Sequence, residues 1–145
     1  MPEAFTIVSL SSVDDAAPGN GFGDRWEARV ARASLRSERI GVTHFRLFPG
    51  KRSPFTHRHS QAEEIYVVLS GSGRIKLDDQ LFDVGPRDAI RVAPTTARAF
   101  EAGPEGLEFL AFGPHHPGDG ERVEDAWSDE GGKGENVDAQ RTRAT

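Results

Sequence analysis

The sequence contains no cysteine. Disulfide bonds, thiolate metal sites and cysteine nucleophiles are therefore excluded, and any bound metal must use imidazole and oxygen ligands. No stretch approaches about 18 consecutive apolar residues, and the N-terminus lacks a basic segment followed by an apolar one. Neither a membrane span nor a signal peptide is predicted, and we expect a cytoplasmic protein without a membrane partner.

Positive charge is not concentrated in any part of the chain. The formal net charge is -5, and no block of lysine and arginine occurs. Because nucleic-acid binding requires clustered positive charge to neutralise phosphates, a nucleic-acid partner is not expected. The length of 145 residues corresponds to one domain with one hydrophobic core.

Short alternating segments separated by turn residues make up most of the chain. Between residues 36 and 113 no helical pattern of useful length occurs, and strand-like runs recur between Pro, Gly or Thr residues. Residues 26–35 fit a strand or a short helix, and the strands that follow favour a strand. An all-β double-sheet jelly roll is predicted. Its strands are expected at residues 5–10, 26–35, 40–48, 64–69, 74–77, 80–84, 88–92, 98–101 and 107–112, with hairpin turns at 71–73 and 78–79.

The two ends of the chain are expected to pack on this barrel as irregular arms. Residues 1–36 are assigned to an N-terminal arm with the first strands, 37–113 to the barrel, and 114–145 to a C-terminal arm. Because residues 118–145 are rich in Gly, Asp and Glu, we expect an arm held by Val123 and Trp127, followed by a mobile, solvated tail.

A group of histidines and carboxylates precedes the apolar strand at residues 64–69. Side chains two residues apart on an extended chain point the same way, so His57 and His59 can reach one point. Glu64 begins the next strand, while Glu63 faces the opposite side and is expected at the surface. Two imidazoles and one carboxylate form a ligand set that transition metals use while keeping open coordination positions. Residues His57, His59 and Glu64 are therefore the predicted metal ligands.

Other candidates for the site are weighed against simpler structural roles. Tyr66 shares a strand face with Glu64 and could donate a proton or hydrogen bond, although a packed tyrosine is the plainer interpretation. His44 could be a further ligand, but a hydrogen-bonded histidine on a sheet face is favoured. His115 and His116 are adjacent in sequence and do not readily face one metal, so a loop role is favoured.

The same stretch resembles the first motif of the cupin superfamily. That motif combines a glycine, an H-x-H pair, a glutamate and a later glycine, and here Gly50, His57, His59, Glu64 and Gly71 match it. The spacing from Gly50 to the first histidine is one residue longer than usual. The resemblance covers roughly residues 40–113 and implies a double-stranded β-helix barrel with a metal in its mouth.

The second cupin motif is only partly matched. Asp88 and Pro94 agree with it, whereas Arg87 and Thr95 stand in place of glycines. Arg98 stands where the family places its fourth ligand, a histidine, and a protonated arginine cannot ligate a metal. Three arrangements remain open: a three-ligand metal site, an Arg98 that binds an anionic ligand group, or a metal-free site in which Arg98 pairs with Glu64.

Two functions are compatible with these residues. The first is a metal-dependent enzyme, for which the cupin resemblance implies a dioxygenase, isomerase or decarboxylase type. In it Fe, Mn, Ni or Zn acts on a small anionic molecule, and Arg98 and Tyr66 are the catalytic candidates. The second is a metal-free cupin that binds or senses a small ligand without turnover. Because small jelly-roll barrels leave edges and faces that a second copy can cover, a homodimer is expected.

Overall fold

The computed structural model describes residues 4–123 and Trp127, and within this part of the chain eight β-strands and one short α-helix occur. Two single turns of 3-10 helix, Leu10–Ser12 and Pro18–Asn20, precede the first strand. The helix α1 (Arg32–Leu35) lies between the first two strands. The strands are β1 (Trp26–Val30), β2 (Ile40–Leu47), β3 (Thr56–His59), β4 (Glu64–Leu77), β5 (Gln80–Val84), β6 (Ala89–Val92), β7 (Arg98–Pro114) and β8 (Gly120–Val123).

Strand β7 is the centre of one curled antiparallel sheet. It pairs with β2 on one side and with β4 on the other, and its first residue pairs with His57 of β3. Strands β5 and β6 extend the sheet from β4, and β8 extends it from β3. The predicted all-β jelly roll is confirmed as a mostly β structure with this curled sheet. The pairing brings the ends of β3, β4 and β7 together.

The inner face of the sheet carries the hydrophobic core. Alternate residues are buried over 66–68 of β4 and 107–111 of β7, as the period of two in a half-buried strand requires. Tyr66, Phe100 and Phe109 form its aromatic centre, with the Phe100 and Phe109 rings stacked at a centroid distance of 4.2 Å. Aliphatic side chains that are almost fully buried complete the core, namely Leu47, Val68, Ile75, Val92 and Leu107.

Two strands are longer than the sequence predicts. The prediction of a turn at residues 71–73 is wrong, because these residues lie inside β4, and β7 is likewise one strand across residues 102–106. A Cβ atom at Gly71 would overlap the Gly106 carbonyl, and one at Gly73 would overlap that of Glu101. The glycines therefore let the two backbones approach closely at a pair of register shifts. The hairpin turn at 78–79 is confirmed.

The N-terminal predictions need two corrections. Residues 5–10 form no strand, and the side chains of Phe5 and Ile7 are 73% and 87% exposed. The alternating pattern is present there, but within the described residues this segment lies beside no strand that could complete its backbone hydrogen bonds. The predicted strand 26–35 ends at Val30, and α1 follows it. Arg36, with a φ of 57°, then ends the helix in the left-handed region.

The described part of the C-terminal arm is more ordered than its composition indicates. Gly120–Val123 forms β8, which pairs with β3. Trp127 is 5% exposed and packs with Leu81 and Ala99, in agreement with the prediction that it holds the arm. The tail predicted beyond it lies outside the described residues. In the described part of the chain, no helix has the length and apolar character needed to cross a membrane.

Candidate metal centre

The three predicted metal ligands converge at one end of the sheet. His57 and His59 project from the same face of β3, and Glu64 is the first residue of β4. One ligand atom from each residue can be chosen so that all three lie within 4.8 Å of one another. The Nε2 atoms of His57 and His59 lie 3.5 Å and 3.4 Å from Oε1 of Glu64. The two imidazole rings are nearly perpendicular, with centroids 5.1 Å apart.

Asp119 orients His59 from behind. Its Oδ1 lies 2.8 Å from His59 Nδ1, and its Oδ2 accepts hydrogen bonds from the backbone N–H groups of Gln61 and Ala62 at 3.0 Å and 2.9 Å. Burial alone would raise the pKa of Asp119, but these hydrogen bonds and the neighbouring imidazole lower it to about 2. An ionised carboxylate only accepts hydrogen bonds, so Nδ1 of His59 must carry a proton and donate it.

The Nε2 atom of His59 provides a test of whether the site fits a metal. This atom is buried and has no hydrogen-bond partner within residues 4–123 and Trp127. With Nδ1 donating to Asp119, the neutral ring directs the Nε2 lone pair toward the Glu64 carboxylate. Two electron-rich atoms at this distance repel each other unless a cation or a proton lies between them. The donor set of two nitrogens and one carboxylate oxygen suits a divalent transition metal.

Tyr66 and Arg98 complete the surroundings of Glu64. The Tyr66 hydroxyl donates a 2.6 Å hydrogen bond to Oε1 of Glu64. Arg98 is 1% exposed, and its Nη1 and Nη2 atoms donate to the backbone carbonyls of Pro94 and Ala93 at 3.4 Å and 3.0 Å. Its Nε lies 3.9 Å from Oε1 of Glu64 and has no hydrogen-bond partner in the described structure. At the position where the cupin motif has a neutral histidine ligand, this chain therefore has a fixed positive charge, that of Arg98.

These contacts keep Glu64 ionised and Tyr66 protonated. Burial raises the pKa of Glu64, but hydrogen bonds from His57 and Tyr66, and the charges of the two histidines when they are protonated, lower it to about 2. Burial and the Glu64 charge raise the pKa of Tyr66 well above its usual value of 10, although Arg98 acts in the opposite direction. Tyr66 is therefore a hydrogen-bond donor at neutral pH rather than a phenolate.

The low pKa of Glu64 predicts a loss of stability in acid. The unfolded chain binds a proton near pH 4.5 and the folded chain only near pH 2, so Glu64 stabilises the fold above pH 4.5. That contribution is lost as the pH falls from about 4.5 to about 2, and it amounts to a free energy of unfolding on the order of 3 kcal/mol. Urea unfolding of chelator-treated protein, followed by tryptophan fluorescence, measures it. Glu64→Gln should show a shallower decline in acid, and identical pH profiles for the two proteins would contradict the assignment.

A cavity of about 190 Å³ opens beside two of the three ligands, His57 and Glu64. Arg98 also lines it. Trp26, Phe45, Phe55, Tyr66, Phe100 and Phe109 form an aromatic wall. The volume lies below the roughly 300–1,000 Å³ typical of pockets for drug-sized ligands, so a small organic molecule is the size it accommodates.

The other candidates lie apart from this centre. His44 lies on β2 and its Nε2 is 2.6 Å from Oε2 of Glu108, so it is a hydrogen-bonded histidine on a sheet face, as favoured above. Glu63 is exposed and pairs with Arg91, as expected of a surface residue. His115 and His116 are exposed in the segment after β7. Among the described residues, only His57, His59 and Glu64 form a group with metal-ligand geometry.

Sequence reasoning did not identify Asp119 as part of the site. The residue lies in the Gly- and acid-rich segment that composition assigns to a solvated arm. No local pattern marks it, because its partners His59, Gln61 and Ala62 are about sixty residues away. Only the pairing of β8 with β3 brings Asp119 behind His59.

The curled antiparallel sheet has the cupin fold, and the group of two histidines and one glutamate lies at its end. The chain contains a cupin domain, since the family described as Cupin_2, Cupin domain, matches residues 43–113. An uncharacterised protein of Methanocaldococcus jannaschii, MJ1618, is 40% identical over 45 residues. That match covers 31% of this chain and only 36% of the relative's length.

Solved structures share the fold over most of the chain. A cupin protein from Bacteroides fragilis, BF4112, has a TM-score of 0.65 and 24% identity, covering 86% of this chain and 92% of that one. The polyketide cyclase RemF from Streptomyces resistomycificus has a TM-score of 0.68 and 23% identity, covering 86% of this chain and 87% of that one. At this level of identity, the similarity establishes the cupin fold alone.

Proposed function

We propose that His57, His59 and Glu64 hold a divalent transition metal, and that this centre acts on a small anionic organic molecule in the adjacent cavity. The observation that carries the proposal is the orientation of His59. Its Nδ1 is fixed by Asp119, and its buried Nε2 faces the Glu64 carboxylate without a hydrogen-bond partner among the described residues. A carboxylate that orients a metal-binding histidine in this way is a recurring feature of metal sites.

The charges around the site favour an anionic ligand. A divalent cation together with Arg98 would outweigh the single negative charge of Glu64, leaving a net positive centre beside the aromatic wall of the cavity. Electrostatic attraction is strengthened in such surroundings because little water screens it. The buried Nε of Arg98 would offer a hydrogen bond to an oxygen of the ligand. This is the role of Arg98 in the predicted arrangement in which it binds an anionic ligand group.

The residues have separable roles in this proposal. When bound, the metal would polarise a ligand oxygen or activate water or oxygen. Tyr66 holds a proton next to Glu64 Oε1 and can donate it, or a hydrogen bond, to a neighbouring oxygen. The aromatic wall gives the ligand an apolar surface to pack against. The cupin fold is shared with a polyketide cyclase, which supports a small-molecule substrate, but the fold does not select the reaction.

A metal-free cupin that binds a ligand without turnover is the second candidate. It is favoured by the position of Arg98, whose Nε lies 3.9 Å from Glu64 Oε1 and would balance the carboxylate charge without a metal. Under this alternative, a proton on His59 rather than a cation would separate Nε2 from the carboxylate. The predictions of a homodimer and of a cytoplasmic location remain predictions under either function.

Metal analysis of the wild-type protein separates the two candidates. Protein purified without chelator is expected to contain about one equivalent of Fe, Mn, Ni or Zn per chain, measured by inductively coupled plasma mass spectrometry. Treatment with a chelator should lower the thermal midpoint, and restoring the metal should recover it, because a metal that binds only the folded state stabilises it. Protein that remains metal-free, and whose midpoint none of the four metals changes, would refute the metal site.

A turnover assay then distinguishes the metal-dependent enzyme from a cupin that only binds its ligand. Small carboxylates, phenols and sugar phosphates can be screened by thermal shift on the metal-loaded protein. Each compound that raises the midpoint is incubated with the protein and analysed by mass spectrometry. Metal-dependent conversion supports the enzyme, whereas saturable binding without conversion supports the sensing alternative.

A further inference from the structure

A second arginine, Arg32, lines the cavity, and its environment differs from that of Arg98. Arg32 is half-buried at the start of α1, and its Nη1 donates one hydrogen bond of 3.2 Å to the Ser37 carbonyl. No carboxylate of residues 4–123 lies within ion-pair distance of its guanidinium. In the same part of the chain, Nε and Nη2 of Arg32 donate no hydrogen bond. Arg32 therefore presents donors to the cavity, whereas both Nη atoms of Arg98 are bonded to the backbone.

A glycine creates the space in which the Arg32 guanidinium lies. A Cβ atom at Gly41 would be 2.7 Å from Nη2 of Arg32 and 3.1 Å from its Cζ. Any side chain at this position would displace the guanidinium. Both Gly41 and Arg32 line the cavity, so the arginine is packed against its wall rather than extended into solvent.

The pairing of β2 with β7 places Gly41, and with it the Arg32 guanidinium, near the predicted metal ligand Glu64. Gly41 of β2 is paired with Gly113 of β7, and a Cβ atom at Gly113 would be 3.4 Å from Cγ of Glu64. Cross-strand neighbours are about 5 Å apart. The Arg32 guanidinium and the Glu64 carboxylate are thus separated by a strip of sheet without side chains. A small molecule lying on this strip would reach both.

The aromatic lining of the same cavity is suited to a flat apolar ring. The Trp26 and Phe45 ring centroids are 4.5 Å apart, and those of Phe45 and Phe109 are 5.1 Å apart in a stacked arrangement. Aromatic side chains bind other rings through face and edge contacts. The two arginines among the lining residues are Arg32 and Arg98.

We infer that the cavity binds a small aromatic carboxylate and that Arg32 binds its carboxylate group. The planar guanidinium can hold both oxygens, and the aromatic wall holds the ring in the cavity that His57 and Glu64 also line. This inference rests on the proposed function in assigning the far end of the ligand to the metal. The role of Arg32 itself requires only the cavity and is testable without metal.

Benzoate and its uncharged analogue benzamide are the probes for this inference. Wild-type protein is expected to bind benzoate at least about tenfold more tightly than benzamide, because only benzoate offers a charge-assisted pair with Arg32. Arg32→Gln should weaken benzoate binding by about tenfold and leave benzamide binding unchanged, as measured by isothermal titration calorimetry. Arg39→Gln is the matched control, since it removes the same charge from an exposed arginine nearby.

Substitution of Gly41 tests the position of the Arg32 guanidinium separately from its charge. Gly41→Ala retains Arg32 but places a methyl group where the guanidinium lies, so benzoate binding should weaken as in Arg32→Gln. Gly19→Ala is its control, because a Cβ atom there would meet nothing within 4 Å. Circular dichroism and urea unfolding establish that each variant is folded.

The outcomes distinguish this inference from the metal proposal. Binding is measured on chelator-treated and metal-loaded protein, with metal content determined for each variant. Arg32→Gln should retain wild-type metal content. Equal affinity for benzoate in the wild type and Arg32→Gln, equal affinity for both probes, or no binding of either would overturn the role of Arg32 even if metal is present. A metal-free wild type that still prefers benzoate through Arg32 would refute the metal site alone.

Discussion

Replacing both His57 and His59 by alanine is expected to abolish metal retention. The two imidazoles are two of the three protein ligands, and their Nε2 atoms lie within 3.5 Å of the third. Removing them leaves a single carboxylate, which cannot compete with water for a transition metal in this geometry. The loss of affinity should exceed the roughly 10–100-fold that follows removal of an outer hydrogen-bonding partner. Metal content after dialysis and titration of the apoprotein with Zn²⁺ or Mn²⁺ would measure it.

The chain provides a matched control in its other histidine pair. His115→Ala with His116→Ala removes the same two side-chain types from an exposed segment, and this variant should keep its metal. Circular dichroism establishes that both double variants are folded. If the His57 and His59 variant kept stoichiometric metal, or if both variants lost it equally, the assignment of the site would be wrong.

Asp119→Ala is expected to weaken metal binding by about 10–100-fold although all three ligands remain. The carboxylate holds His59 through Nδ1 and binds the backbone N–H groups of Gln61 and Ala62. Without it, the His59 ring can rotate and the segment leading to Glu64 loses two hydrogen bonds. Competition with a metal-binding dye would give the dissociation constant, and thermal unfolding would give the change in stability.

Two variants separate the effect on His59 from a general loss of charge. Glu121→Ala removes an exposed carboxylate two residues away, which pairs with Arg58, and it should leave metal affinity unchanged. Asp119→Asn retains one oxygen acceptor for the ring or for the backbone, so an intermediate affinity is expected. Wild-type affinity in Asp119→Ala would show that His59 is oriented by other contacts.

The ligand group could be predicted because it is local. His57 and His59 are separated by one residue on an extended strand, so the period of two alone directs both to one side. Glu64 follows within a few residues, at the start of a strand whose apolar alternation marks its inner face. The hydrogen bond between Tyr66 and Glu64 follows from the same alternation. No long-range information was needed for any of these placements, whereas the roles of the residues as metal ligands remain predictions.

The wrong predictions concern features that depend on distant partners. The glycines at 71 and 73 have turn composition, yet they lie within β4. Glycine is needed there because the opposing backbone at Gly106 and Glu101 leaves no room for a side chain. Phe5 and Ile7 have strand alternation, yet no described strand lies beside them. A strand is completed by hydrogen bonds to another segment, and local pattern does not reveal whether that segment is present.

By itself, the sequence determined the class of fold and the convergence of His57, His59 and Glu64 on one point. It also excluded thiolate chemistry. These follow from residue type and from alternation along a strand, which act over a few neighbouring residues. Only the tertiary structure decided that Asp119 orients His59, that Arg98 is held by backbone carbonyls, and that Arg32 lies over Gly41 in the lining of the cavity. Each of these depends on strand pairing between distant parts of the chain, because closing the sheet brings together groups that local pattern cannot relate.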